Sequence, residues 1–185
     1  MGLQPGRLLA IEEMPLIQNL AIPEEFYLVT CIPAPLAGMR KPSKTTPWKE
    51  LYRIGLRQIV CLSMDPPEYS PDPLIIAGHY PLQDLYGGIS PDHEEMEINQ
   101  VMQAVHKVLS ILTHPIGVVV HCDGGTGRTG TLIGCVLKGL GYNASDILSY
   151  LDSLNRRRGA RKGWPESQWQ ADMLQNHIIK PENGG

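Results

Sequence analysis

The stretch VVVHCDGGTGRTGTLIG, residues 118–134, constrains the fold more than any other part of the chain. Three valines run into His121 and Cys122, and the next eight positions hold four glycines and an arginine. Glycine weakens a strand interior, and a simple turn needs only one or two. The pattern therefore predicts a buried strand, a concave loop and then a helix. A loop feeding a helix N-terminus points several unpaired backbone N–H groups at one spot, and the helix dipole adds partial positive charge there. Such a nest binds an oxyanion. Gly124, Gly125 and Gly127 let the backbone curve and approach its ligand, and with Asp123 and Thr126 they make up the expected phosphate-binding loop.

A unit of this kind needs a sheet behind it. FYLVTCI (26–32), QIVCLS (58–63) and LIIAGHYPL (74–82) are short apolar runs and predict strands. VVVH (118–121) is apolar on both faces, as a central strand of a covered sheet is. Thr46 and Pro47 predict a capped helix running to roughly Leu56, with Gly55 near its end. Ser90 and Pro91 open the longest helix, with Ile98, Val101, Met102, Val105, Leu109 and Leu112 as its apolar stripe, and it stops before Pro115. Asp92, Glu94 and Glu95 complement the positive end of its dipole.

After the loop comes a helix with Leu132, Ile133, Val136 and Leu137, ended by Gly139 and Gly141. Asn143 caps the next, which turns Ile147, Leu148, Leu151 and Leu154 inward, and Trp164-Pro165 opens the last, which presents Trp169, Met173 and Leu174. The proline-rich stretches 33–47 and 65–73 read as surface loops. Strands first and mostly helices after predict an α/β domain, a central, mostly parallel sheet flanked by helices. At 185 residues one domain is expected, with residues 1–25 as an N-terminal extension, 26–180 as the functional unit and 181–185 as a flexible tail.

Several function classes are disfavoured. A formal charge of −3 argues against a nucleic-acid binder. No apolar run approaches the roughly 18 residues of a membrane span. Pro5, Glu12 and Glu13 make the N-terminus a poor signal peptide, and Gly6 stands where a myristoylation motif wants Ser or Thr. The expected location is cytoplasmic. The cysteines at 31, 61, 122 and 135 lack zinc-type spacing, and Cys31, Cys61 and Cys135 are expected to be reduced, buried small hydrophobes. GxxxxGK[ST] is absent from the loop, which disfavours nucleotide binding through that motif.

Two side chains fit the oxyanion nest. Cys122 lies at its base, where the local field favours a thiolate, a nucleophile aimed at phosphorus. Arg128 follows after five intervening residues and can grip two phosphate oxygens with its planar fork. Two basic clusters, Arg40-Lys41-Lys44 and Arg156-Arg157-Arg158 with Arg161-Lys162, read as solvated charge, although a positive rim would also serve a phosphate site.

HCDGGTGR matches His-Cys-x-x-Gly-x-x-Arg, so the chain resembles the cysteine-dependent protein tyrosine phosphatases. LAGMRKP (36–42), GLRQIVCLS (55–63), HYPLQD (79–84) and the final helix are similar to the compact dual-specificity branch over roughly residues 26–178. HYPLQDLYGGISPD especially resembles the cyclin-dependent-kinase-associated phosphatase type.

The resemblance implies a protein tyrosine phosphatase-like fold and a phosphoprotein substrate. It implies hydrolysis of phosphotyrosine, with or without phosphoserine and phosphothreonine, through a phosphocysteine and without metal or cofactor. It implies Asp84, on a mobile loop, as the general acid and then as the base that activates water, with Asp92 as competitor. Thr129 would donate a hydrogen bond to the Cys122 thiolate, His121 would orient the loop, and Gln168 would position the hydrolytic water. The alternatives are a phosphoinositide, inositol-phosphate or RNA 5′-triphosphate phosphatase, and a phosphopeptide-binding pseudophosphatase. Asp123 beside the pocket disfavours a polyanion. Oligomeric state stays open.

Overall fold

A computed structural model describes residues 6–179, so the expected tail at 181–185 and the Met1-Gly2 terminus lie outside the described residues. Five strands form one sheet in the order β1-β2-β5-β3-β4. They are β1 (Phe26–Thr30), β2 (Leu36–Met39), β3 (Leu56–Cys61), β4 (Ile75–His79) and β5 (Gly117–His121). Only the β1–β2 pair is antiparallel; β2–β5, β5–β3 and β3–β4 are all parallel. The valine run thus lies at the centre, and Val118, Val119 and Val120 are fully buried. Helices α1 (Trp48–Arg53), α2 (Glu94–Thr113), α3 (Gly127–Gly139), α4 (Ala144–Arg157) and α5 (Gln168–Asn176) flank it. This is the expected α/β architecture.

α3 is buried along its length from Gly127 to Leu137, because the sheet, α2, α4 and α5 all pack on it. It leaves the carboxyl end of β5, so the sheet's central strand and its most enclosed helix meet at the loop 122–126. Asn143 caps α4 as expected, its side chain accepting the Ser145 N–H at 2.9 Å. The segment before β1 packs onto the domain. Met14 and Ile17 are buried, and Leu9 is held through both its N–H on Val29 O and its carbonyl under Tyr150 Oη.

Several expectations need correction. Residues 36–39, read as loop, form a fully buried inner strand. Its four residues show no usable period, and Pro33 and Pro35 just upstream mimic a loop although proline is tolerated where a strand begins. Thr46 does not cap α1; its Oγ1 accepts the Ser43 N–H, and Pro47 stands at the cap position.

Ser90-Pro91 does not open α2. Asp92 N–H is spent on Gln83 Oε1, and the helix begins at Glu94 behind His93, so Asp92 is not a first-turn residue. The last helix likewise starts at Gln168, because Trp164 turns inward to donate to Gly127 O. Cys31 lies just past the end of β1 and is exposed, whereas Cys61, Cys122 and Cys135 are buried.

Candidate active site

The loop from Cys122 to Thr126 bends around the Cys122 sulfur. The Gly125 N–H donates to Sγ at 3.2 Å and Thr129 Oγ1 donates to it at 3.1 Å, one from the loop and one from the first turn of α3. Gly125 is obligatory: its φ is +73°, and a Cβ there would lie 2.6 Å from Met39 O. Only 2% of Cys122 is exposed, so a substrate must reach it through the mouth of the loop.

Arg128, on the first turn of α3, directs its guanidinium to that mouth. Nη2 donates to Asp123 Oδ2 at 2.8 Å and to Asp84 Oδ2 at 3.3 Å, and Nη1 donates to Leu82 O at 3.4 Å. Burial alone would lower its pKa, but Cys122, Asp123 and Asp84 together outweigh burial and raise it, so the cation is secure. Asp123 is partly buried, which opposes ionisation. Its bonds from Arg128 and from Ser63 Oγ prevail and hold its carboxyl below the ordinary range.

The structure brings Asp84 to this cluster and leaves Asp92 out. Asp84 heads the exposed loop after β4, where its Oδ1 accepts the Tyr86 N–H at 3.1 Å while Oδ2 faces Arg128. Asp92 sits beside His93 and Met96 in a separate cavity.

His121, at the end of β5, is 1% exposed, and burial holds its pKa down at about 4. Nδ1 lies 3.2 Å from Cys122 O, which can only accept, so the ring proton sits on Nδ1. Nε2 then accepts from Tyr69 Oη at 2.5 Å. Tyr69 in turn stacks on Trp48. A neutral imidazole thus ties the base of the loop to two aromatics.

Gln168 does not reach the site. It is exposed and its amide donates to Asp172 Oδ1. Gln170 is the inward glutamine, 1% exposed, with Oε1 accepting the Glu166 N–H. Two residues apart on a helix means nearly opposite faces. Met173 and Leu174, three and four residues on, mark Gln170's side as the apolar one.

Arg158 was also missed as a site residue. It is no solvated charge. Its guanidinium donates to the carbonyls of Gly124 and Gly125 and to Thr126 Oγ1, clamping the loop from outside, and it lies over the Tyr27 ring. Tyr27 Oη donates to the same Gly125 carbonyl at 2.8 Å. Nothing in a run of three arginines distinguishes the one that turns inward.

A family model described as the DSP-PTPase phosphatase domain of PTP-SAK, Swiss Army Knife protein, matches residues 26–170. Among curated protein sequences none matches significantly. Solved structures share the fold. Tk-PTP in its active form superposes with a TM-score of 0.58 at 21% identity, covering 85% of this chain and 100% of that one. The core catalytic domain of the PP-IP phosphatase SIW14 from S. cerevisiae gives 0.54 at 20%, covering 77% and 80%. Kinase associated phosphatase (KAP), with its catalytic-site cysteine replaced by serine, gives 0.52 at 19%, covering 78% and 88%. The family match spans β1 to the start of α5 and includes the whole Cys122–Arg128 loop, and on that ground the chain belongs to the DSP-PTPase family of cysteine-dependent phosphatases.

Proposed function

We propose that the chain is a protein phosphatase acting on phosphotyrosine through a phosphocysteine formed on Cys122. Loop amides and Arg128 bind the phosphoryl oxygens, with the arginine fork matching two of them. The Cys122 sulfur attacks phosphorus, and Asp84 protonates the departing phenolic oxygen. Thr129 Oγ1 and the Gly125 N–H stabilise the sulfur anion before attack and after it is expelled. Asp123 shares Arg128 with Asp84 and fixes the plane of the guanidinium. His121 and Arg158 keep the loop concave from below and from outside.

One observation carries the choice of substrate: a deep sulfur lies under a mouth bordered by two carboxylates. Cys122 is 2% exposed, while the side chains of Asp84 and Asp123 are 58% and 52% exposed. A long phenolic stem with a single phosphate fits that depth. A second phosphate at the rim meets the like charge of Asp123, Asp84 being protonated for its acid role, and is opposed by about 1 kcal/mol at 4 Å in water and about 4 kcal/mol at the effective dielectric of a protein surface. With that carboxylate half exposed the lower figure is the better guide. The fold shared with a PP-IP phosphatase supports the competing inositol-phosphate reading, and the carboxylate rim weighs against it.

The test is steady-state kinetics on matched phosphotyrosine, phosphoserine and phosphothreonine peptides beside inositol phosphates and phosphoinositides. A Cys122→Ser variant, expected to lose at least about a thousandfold in turnover, serves as the blank. Phosphotyrosine peptide should have the highest kcat/KM. An inositol phosphate in that place overturns the proposal.

A further inference from the structure

Asp84 must face Arg128 to act on a substrate held there, yet little of it is enclosed. Its side chain is 58% exposed, and among the described residues its one bond beyond its own loop is the 3.3 Å contact with Arg128. Such a contact on an exposed carboxylate contributes about 0–1 kcal/mol, too little to fix a loop. The tip of the loop adds no hold on the domain. Gly87 and Gly88 stand there at φ +90° and +86°, and a Cβ added to Gly87 would meet nothing within 4 Å. Leu85 is buried and ties the loop down, but an apolar anchor does not set where the neighbouring carboxylate points.

The hold lies at the neck. Gln83, just before Asp84, donates its backbone N–H to Glu97 Oε1 of α2 at 2.8 Å, and its side-chain Oε1 accepts the Asp92 N–H at 2.9 Å. Residues 84–91 therefore leave and return through Gln83. The Leu82–Gln83 peptide is trans, so its carbonyl and N–H point opposite ways. The carbonyl accepts from Arg128 Nη1 at 3.4 Å while the N–H meets Glu97. Leu82 is buried, and its own N–H is held by Leu62 O at 3.1 Å. One peptide plane thus lies between Glu97 and Arg128, and Asp84 follows it one residue on.

Glu97 is half-buried in the first turn of α2. Burial pushes its carboxyl above the ordinary range, and the Gln83 N–H and the Arg128 charge draw it back. Among the described residues no lysine, arginine or histidine forms an ion pair with it, so the Gln83 N–H is its partner. An acidic side chain in a first turn ordinarily serves the helix dipole. Glu94 and Glu95 share that turn, but Glu94 Oε1 accepts from Trp169 Nε1 and Glu95 is exposed, so only Glu97 reaches the loop of the acid.

We propose that Glu97 is a positioning residue for the phosphatase reaction: its hydrogen bond to Gln83 fixes the peptide from which Asp84 departs and so keeps the acid facing Arg128. This rests on the phosphatase reading above. Arg128 itself is held independently, by its 2.8 Å bond to Asp123 and its seat in the first turn of α3. Loss of Glu97 should therefore displace the acid and spare the grip on phosphate.

Glu97→Ala should lower kcat/KM on a phosphotyrosine peptide by about 10–100-fold, the cost of displacing a catalytic group by about 1 Å. On an activated aryl phosphate the loss should be less than about threefold, because a good leaving group needs no acid. In an Asp84→Asn background the same substitution should cost the peptide less than about threefold, since the group it positions is gone. Glu97→Gln keeps an oxygen for the Gln83 N–H and should recover most of the loss. Glu95→Ala, which removes only a dipole interaction, should leave the ratio of the two substrates within about twofold of the parent.

Thermal melts establish which variants fold. If Glu97→Ala does not, Glu97→Asp, whose carboxylate ends one methylene short of the Gln83 N–H, must show the same dependence on leaving group. Equal losses on both substrates, unchanged peptide turnover, or a loss that adds to that of Asp84→Asn overturns the inference. If Asp84→Asn spares the peptide, the acid lies elsewhere and the inference falls with it. A parent enzyme that turns over neither substrate sinks instead the phosphatase reading on which it rests.

Discussion

Replacing Arg158 with alanine should damage both stability and turnover, although the side chain touches no substrate. Its guanidinium donates to Pro23 O at 2.9 Å, Glu24 O at 3.0 Å, Gly124 O at 3.1 Å, Gly125 O at 2.8 Å, Thr126 Oγ1 at 3.1 Å and Asn155 Oδ1 at 2.7 Å. A hydrogen bond from a charged donor contributes about 1.5–3 kcal/mol net. The bonds share one side chain, and that side chain is partly exposed, so they do not add. We expect a loss of about 2–4 kcal/mol, which lowers the melting temperature of a domain this size by about 4–16 °C.

The freed carbonyls of Gly124 and Gly125 belong to the loop proposed to bind phosphate, so kcat on an aryl phosphate should also fall, by about 10²-fold if the loop shifts by 1 Å. Arg157→Ala is the control. Among the described residues Arg157 pairs only with the exposed Glu12, at 3.3 Å, and its loss should cost less than about 1 kcal/mol. Thermal melts and steady-state rates on the two variants decide the matter. If Arg158→Ala melts within 1 °C of Arg157→Ala, the clamp does not hold the loop.

Two further outcomes are expected. Asp84→Asn should cut turnover of phosphotyrosine peptide by about 10²–10⁴-fold and that of an activated aryl phosphate far less, because only a poor leaving group needs the acid. Asp92→Asn should do neither, and the reverse pattern would move the acid to Asp92. His121 is held near 4 in the folded state against an ordinary 6.5, so between those values the unfolded chain binds the extra proton. Stability should therefore be full above pH 6.5 and decline as pH falls to about 4, by about 3 kcal/mol in total. Urea midpoints across that window should fall less steeply for His121→Asn than for the parent, and parallel curves would refute the assignment.

Elements with an unambiguous local pattern were legible in the residues. The valine run predicted a central strand, and β5 lies between two parallel neighbours with all its residues buried. Asn143 predicted the start of α4 because an Asx cap is satisfied within its own turn. β2 was illegible because four residues carry no period and its burial comes from distant elements, β1 and β5 beside it and α3 packed on it. The start of α2 was displaced because Gln83, nine residues upstream of Asp92, competes for the backbone that the helix would have used. Cys31 was expected inside because its neighbours are apolar, but β1 ends before it.

The site divides along the same line. Cys122, Gly125, Arg128 and Thr129 lie within eight consecutive residues, and a strand–loop–helix junction places them by local geometry alone, so their spacing was sufficient to locate them. The sequence by itself therefore determined where the loop between β5 and α3 lies and that it brings Cys122, Thr129 and Arg128 together. Whether Asp84 or Asp92 faces Arg128, which of Gln168 and Gln170 turns inward, which arginine of three clamps the loop, and that Glu97 accepts the Gln83 N–H were decided only by the tertiary structure. Each of these depends on how one element packs against another that is distant in sequence, and no local rule ranks such side chains before the packing exists.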